Sequence, residues 1–244
     1  MKKYGLIGYP LDHSFSKKYF EEKFEKEHIT DCSYHLLPLP FIESFLPLLG
    51  SDHELRGINV TIPYKESVIE FLNEIDATAK EIGAVNCIKI NGTYLKGYNT
   101  DATAFEASLK SFLTQAPQQT FVLGTGGSAK SVSFVLKQMG IHFLQVSRHP
   151  GSHHIVYGDI MKHMREVNLF INTTPLGMFP SVENLPDIPY AKLNENDFLF
   201  DLIYNPDETA FLRRGKEKGA KIQNGLEMLH LQAEKSWQIW NENQ

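Results

Sequence analysis

A chain of 244 residues, 42% hydrophobic and 22% charged, has the composition of an ordinary globular protein with one large domain or two small ones. Its net charge of −5 argues against a general nucleic-acid binder, which needs an excess or patch of Lys and Arg, but leaves room for a small anionic ligand held by a local cluster. No apolar run approaches membrane-spanning length, and the two cysteines, Cys32 and Cys87, form no CxxC and read as reduced thiols of a cytoplasmic protein.

The N-terminal MKKYGLIGYP reaches Pro10, Asp12 and His13 before an apolar core of signal-peptide length accumulates, so KYGLIGY reads as a first β-strand. SKKYFEEKFEKEH follows as an amphipathic helix with Tyr19, Phe20 and Phe24 on one face. SYHLLPL and GINVTIP are the next two strands. In the second, Ile58-Asn59-Val60-Thr61-Ile62 alternates polar with β-branched residues until Pro63 ends it. Lys65 comes two residues later, and taken alone it is a surface lysine opening the next helix. CIKINGTYLKGYN reads as a hairpin with Asn91-Gly92 in a type I′ turn. A helix starts at Asp101, DATAFEASLKSFL, and the polar TQAPQQ connects it to a second unit.

That unit opens with TFVLGTGGSAKSVSFVLKQMG and continues through strand-like HFLQVSRHP, NLFINTTPLGM and DFLFDLIYNP. GLEMLHLQAEKSWQIW is a C-terminal helix, with Leu226, Leu229, Ala233, Trp237 and Trp240 at helical spacing. Alternating strands and helices throughout predict an α/β fold. The densest histidine group, His149, His153 and His154, is interrupted by Pro150 and Gly151 and reads as solvated loop residues, so no metal site is expected.

Within FVLGTGGSAKS, an apolar strand runs into Gly124-Thr125-Gly126-Gly127-Ser128-Ala129 and then a helix. This is G-x-G-x-x-A in the strand–turn–helix setting of dinucleotide binding. Gly124 permits the tight turn, Gly126 lets the backbone approach a pyrophosphate, and Ala129 is small enough for helix and strand to pack. An NAD-preferring site places an acid at the end of the next strand; here Ser147-Arg148 stand instead. A guanidinium can bond a 2′-phosphate that an acid would repel, which favours NADP.

Taken together, GYPLDHSFSKKYF, GINVTIPYKE, GAVNCI, GYNTDATAF, GTGGSAKS, NTTPLGM, DLIYNP and NGLEMLHLQA, in that order from first strand to last helix, resemble the shikimate dehydrogenase family. The resemblance implies reversible NADPH-dependent reduction of 3-dehydroshikimate to shikimate, a step in chorismate and aromatic amino-acid biosynthesis. It implies two α/β domains, an N-terminal substrate domain and a Rossmann-like dinucleotide-binding domain, with the C-terminal helix returning to the first. Residues 1–100 with 225–244 would form the substrate-binding, catalytic domain and 101–224 the NADP-binding domain, the active site lying in the cleft between them. By this match Lys65 is the acid/base and Asp101 its partner. Ser14 and Ser16 hold the substrate carboxylate, with Tyr204 near it, while Asn59, Thr61, Asn86, Asp101 and Gln232 bind the ring hydroxyls. The partner is then a small molecule, met by a monomer or homodimer without nucleic acid or membrane.

These residue types suit such chemistry. Hydride reduction of a ketone builds negative charge on oxygen and needs a proton donor within hydrogen-bond reach. An ammonium oriented by a carboxylate supplies one, and hydroxyls and amides can pair with a polyhydroxy acid. Blander readings stand beside these. Ser14 also reads as a helix N-cap, Asp101 as a cap for a helix from Ala102, and Asn86 as a turn residue. Gln232 reads as exposed, and Tyr204 as packing its Asn-Pro turn. Cys87 replaces a common threonine and Ala102 a common glycine. Only Arg148, with His149 and Lys130 as helpers, serves the phosphate loop, leaving mixed NAD/NADP use open. The alternatives are a quinate/shikimate dehydrogenase using NAD and, in another class, a non-catalytic dinucleotide or metabolite sensor.

Overall fold

A computed structural model describes residues 1–11 and 14–242. Asp12 and His13, the latter in the H-S-x-S stretch, lie outside the described residues. The chain divides into two compact units, Met1–Asp101 with His230–Gln244, and Ala102–Leu229.

The first unit runs β1 (Lys2–Gly8), α1 (Ser16–Lys26), β2 (Cys32–Pro38), α2 (Phe45–Ser51), β3 (Leu55–Val60), β4 (Glu74–Ile75), α3 (Ala77–Ile82), β5 (Cys87–Asn91), β6 (Tyr94–Tyr98) and the start of α4 (Thr100–Phe112). Its sheet has the order β2-β1-β3-β5-β6-β4. β1, β2 and β3 are parallel, whereas β5 runs antiparallel to β3 and pairs Cys87 with Asn59. β5 and β6 form the expected hairpin, but Asn91 pairs with Tyr94, so Gly92 and Thr93 make the turn. A type I′ turn on Asn91-Gly92 needs positive φ at both. Here Gly92 alone has it, at 63°, in the first loop position, which is the place glycine takes in a type II′ turn. One apolar cluster fills one part of this unit with Ile7, Phe45, Ile58, Val60, Val68 and Ile88.

In the second unit β7 (Gln119–Leu123), α5 (Gly127–Gln138), β8 (Phe143–Ser147), β9 (Ile155–Val156), α6 (Ile160–His163), β10 (Asn168–Asn172), β11 (Phe198–Asp201), α7 (Ala210–Lys216) and β12 (Lys221–Gln223) follow α4. All six strands are parallel, in the order β12-β11-β10-β7-β8-β9. Counted from β7, this is the doubly wound order 3-2-1-4-5-6, which reverses direction between β7 and β10. Buried on both faces, β7 and β10 carry the near-continuous apolar runs TFVL and LFI.

The last helix, α8 (Leu226–Asn241), enters the first unit from His230 onward. Its apolar side packs with α1 over β1 and β2, joining Ala233, Ile239 and Trp240 to Tyr4, Phe20, Phe24 and Tyr34. Trp240 stacks on Tyr4 with ring centroids 4.8 Å apart, and its Nε1–H donates to Ile88 O at 3.0 Å. That seating explains the glycine in RGINV: a Cβ on Gly57 would lie 2.3 Å from the Trp240 ring. At the polar edge of this interface, Lys23 Nζ donates to Glu27 and to both carboxylate oxygens of Glu234, which also accepts from Tyr19. Burial works against the charge on Glu234, but the Tyr19 and Lys23 bonds outweigh it and hold this carboxyl below the usual range. Among the described residues no helix is long and apolar enough to cross a membrane.

Candidate active site

β3 ends at Val60, three residues before the predicted stop, and the chain turns through Thr61, Ile62 and Pro63. No α-helix begins at Lys65, contrary to expectation; a short 3-10 helix, Ser67–Phe71, follows it instead. The turn is pinned from several sides. Thr61 N donates to Ile7 O (2.9 Å), Tyr64 N to Thr61 O (2.9 Å), and the buried Tyr64 hydroxyl to Leu39 O (2.6 Å). Val85 N donates to the carbonyl of Lys65 itself at 2.7 Å. The backbone under the ammonium is therefore fixed by neighbouring strands and loops rather than by a helix.

Lys65 Nζ donates to Asp101 Oδ2 at 2.6 Å, with the two side chains 13% and 8% exposed. Asp101 lies in the first turn of α4, which begins at Thr100. It does not cap a helix from Ala102: its other oxygen accepts from Asn86 Nδ2 at 2.9 Å. Asn86 is no mere turn residue either. Its Nδ2 also donates to Thr100 Oγ1 (2.9 Å), and its Oδ1 accepts from Thr100 N (2.6 Å). The amide thus clamps the start of α4 and presents Asp101 to Lys65.

Asn59 is equally occupied. Tyr34 OH donates to its Oδ1 (2.9 Å), and its Nδ2 donates to Ser236 Oγ (2.8 Å) and Asn86 O (3.3 Å). Ser14, half-buried, accepts from the backbone N–H of Ser16 (3.3 Å) just before α1, so one free N–H of the helix start is met although the capping position itself is Phe15. Ser16 is buried, whereas Thr61 and Gln232 are half-buried. All these residues, Lys65 and Asp101 included, belong to the first unit.

Tyr204 does not; it stands in the second unit, half-buried in the loop after β11. The glycine turn lies there too, between β7 and α5. Gly124 has φ +116°, and a Cβ there would sit 2.7 Å from Thr173 Oγ1, so this place takes only glycine. Gly126 is the residue before α5, with no side chain capping that end, and a Cβ on it would meet no atom within 4 Å. Ala129 is fully buried, with Gly127 and Ser128 half-buried and Thr125 exposed. A pyrophosphate fits this arrangement: a helix start without a side-chain cap, open space at Gly126 and the positive end of a twelve-residue helix. At the end of β8, Ser147 Oγ accepts from His149 N (3.3 Å), and Arg148 is exposed.

Three participants went unread in the sequence. Tyr34, Thr100 and Ser236 complete the hydrogen bonding of Asn59 and Asn86. Ser236 did leave a signal, as a polar residue at helical spacing between Ala233 and Trp240 on an otherwise apolar stripe. Neither cysteine offers a nucleophile: burial pushes the Cys87 thiol up to about 12 and the Cys32 thiol, aided by Asp31, up to about 11. Among the described residues no group of three or more His, Cys, Asp or Glu is placed to hold a metal ion.

A parallel sheet in this order with a glycine turn at its centre defines a Rossmann-type dinucleotide-binding protein, here with a second α/β unit that carries a buried lysine–aspartate pair. Residues 6–88 match the model of the shikimate dehydrogenase substrate binding domain. Over 255 residues the chain is 36% identical to the shikimate dehydrogenase (NADP(+)) of Carboxydothermus hydrogenoformans, covering 97% of this chain and 90% of that one. Among solved structures, shikimate dehydrogenase 1 of Peptoclostridium difficile superposes with a TM-score of 0.87 at 35% identity, covering 98% of this chain and 92% of that one. The shikimate 5-dehydrogenase of Thermus thermophilus, solved in complex with NADP(H) and shikimate, gives a TM-score of 0.85 at 28% identity, covering 99% and 94%. The chain belongs to the shikimate dehydrogenase family.

Proposed function

We propose that this protein is an NADP-dependent oxidoreductase that reversibly reduces 3-dehydroshikimate to shikimate, in the route to chorismate and the aromatic amino acids. The observation that carries the reading is the Lys65–Asp101 pair, 2.6 Å long and nearly withdrawn from water. Family membership supplies the substrate class. Residues 1–100 with 225–244 act as the substrate-binding, catalytic domain, and 101–224 as the NADP-binding domain.

Lys65 Nζ gives a proton to the carbonyl oxygen as negative charge develops there, and takes it back from the hydroxyl in the reverse direction. Asp101 holds the ammonium in place through one carboxylate oxygen and keeps its charge balanced in a poorly hydrated site. Ser14 and Ser16, at the positive end of α1, receive the substrate carboxylate, with Tyr204 contributing to its recognition. Asn59, Thr61, Asn86, Asp101 and Gln232 pair with the ring hydroxyls, so an analogue lacking one leaves a polar group unmet. Asn59 and Asn86 also hold this wall in shape through their bonds to Tyr34, Ser236, Thr100 and Asp101.

Gly124, Thr125, Gly126, Gly127, Ser128 and Ala129 would hold the pyrophosphate of NADP, with Ser147 and Arg148 meeting the 2′-phosphate. When bound, NADP(H) supplies or accepts the hydride. Mixed NAD/NADP use stays open in this reading, because SRHPGS supplies one arginine, Arg148, which is exposed. With unpaired thiols at Cys32 and Cys87, we place the enzyme in the cytoplasm, as a monomer or homodimer.

The test is a panel of shikimate and quinate against NADP and NAD, followed by absorbance of the reduced nicotinamide. Shikimate with NADP is expected to give the highest kcat/KM. Preferred turnover of quinate with NAD would make the protein a quinate/shikimate dehydrogenase using NAD, and no turnover with any pair would leave a sensor.

A further inference from the structure

We infer that Ser236, on the C-terminal helix, is a positioning residue for the Lys65–Asp101 pair. The inference rests on the dehydrogenase reading above and concerns how this chain holds its proton donor.

Ser236 is wholly buried and stands one turn beyond Gln232, whose carbonyl accepts from its hydroxyl at 2.9 Å. The same oxygen accepts from Asn59 Nδ2 at 2.8 Å and, its own proton being on Gln232 O, also accepts from Thr100 Oγ1 at 3.3 Å. Thr100 holds Asn86 through its N–H and its hydroxyl. Asn86 donates to one oxygen of Asp101, whose other oxygen receives Lys65. From Ser236 to the ammonium every link is a hydrogen bond of 3.3 Å or less. Ser236, Asn59, Thr100, Asn86 and Asp101 are each less than a tenth exposed, so water cannot readily replace a lost partner.

The arrangement has a consequence for orientation. Both Nδ2 hydrogens of Asn59 are used, one on Asn86 O and one on Ser236 Oγ, and both Nδ2 hydrogens of Asn86 are used, on Thr100 and Asp101. The two amides therefore have one satisfied orientation each. Ser236 ties them together and fixes the rotation of α8, and hence the place of Gln232, against the same strand ends. Remove its hydroxyl and an Asn59 N–H is left without an acceptor, Thr100 loses a neighbour, and the clamp on Asp101 loosens.

The test compares Ser236→Ala in two backgrounds, the natural chain and Lys65→Ala. In the natural chain it is expected to lower kcat roughly 10-fold while changing KM for shikimate less than about 2-fold. In the Lys65→Ala background the same change should alter kcat less than about 2-fold, because the group through which it acts is gone. Equal losses in both backgrounds, or no loss in the first, overturn the proposal in favour of a purely structural serine. A second readout does not depend on turnover. In protein labelled with nitrogen-15 lysine, the Lys65 ammonium resonance, assigned by its loss in Lys65→Ala, should shift or broaden in Ser236→Ala; an unchanged resonance also overturns the proposal. Should Ser236→Ala not fold, Tyr34→Phe, which removes the donor to the far side of Asn59, carries the same comparison with a smaller expected loss of about 3-fold. Failure of the dehydrogenase reading shows separately, as absence of shikimate turnover in the unsubstituted protein.

Discussion

Lys65 Nζ and Asp101 Oδ2 stand 2.6 Å apart although their residues are separated by 36 positions in sequence. They meet because two rigid ends converge. The turn after β3 is hydrogen-bonded to β1 and to the segment before β5, and the start of α4 is clamped by Asn86. Neither side chain has to search for the other.

Asp101→Asn should therefore cost both turnover and stability. It leaves an ammonium without its counter-charge in a nearly dry site, and breaking a buried pair on one side costs about 3–5 kcal/mol. With Lys65 still 13% exposed, the lower part of that range is expected. The urea midpoint should fall, and kcat should drop about 10²-fold or more. An unchanged midpoint with full turnover would show the pair to be incidental.

In the proposed function, Arg148 meets the 2′-phosphate that distinguishes NADP from NAD. A charge-assisted bond to a phosphate contributes about 1.5–3 kcal/mol, and an exposed guanidinium lies at the low end. Arg148→Ala is thus expected to raise KM for NADP about 10-fold and to leave KM for NAD nearly unchanged. Parallel rises for both cofactors would place Arg148 on the adenine or the fold rather than on the phosphate.

Asp201 is expected to make stability depend on pH. It is wholly buried at the end of β11, accepting from Asn172 Nδ2 (3.0 Å), Ile203 N (3.0 Å) and Thr209 Oγ1 (2.7 Å). Burial pushes its carboxyl up to about 7, against the three donors that favour the ionised form. In the unfolded chain the same group titrates near its ordinary value of about 3.9. Below that pH both states hold the proton and nothing changes. Between about 4 and about 7 only the folded state holds it, so stability falls as pH rises, by at most about 1.4 kcal/mol per unit. The carbon-13 carboxyl shift of Asp201 should inflect near pH 7, and Asp201→Asn should flatten the fall in urea midpoint across this window. An unaltered slope in that variant would assign the effect to other groups.

Much of this was legible in the sequence, and the gaps have physical causes. Strands β7, β10 and β11 announce themselves as buried apolar runs bounded by glycine or polar turns, and the G-x-G-x-x-A spacing can serve little but a tight turn into a helix. Elements that depend on tertiary contacts were silent. The short α2 and α3 and the two-residue strands β4 and β9 have too few residues to show a period. The hairpin was read correctly but its turn was not, because both Asn-Gly and Gly-Thr satisfy local turn chemistry and only the β5–β6 register chooses between them. At the site, Lys65 and Asp101 could be paired only through resemblance, since spacing does not bring residues 36 apart together. The resemblance gives Asn59 as a substrate ligand, a task its residue type suits. Its engagement by Tyr34 and Ser236 is a property of the packed helix α8, which no local pattern reveals.

Lys65 is the proposed proton donor, and Lys65→Ala assayed with shikimate and NADP beside the unsubstituted protein tests that role. The expected result is a fall in kcat of about 10²–10⁴-fold with shikimate binding, followed by calorimetry, changed only a few-fold. A variant that keeps kcat within a few-fold of the original would contradict the assignment and leave the buried pair with Asp101 a structural feature alone.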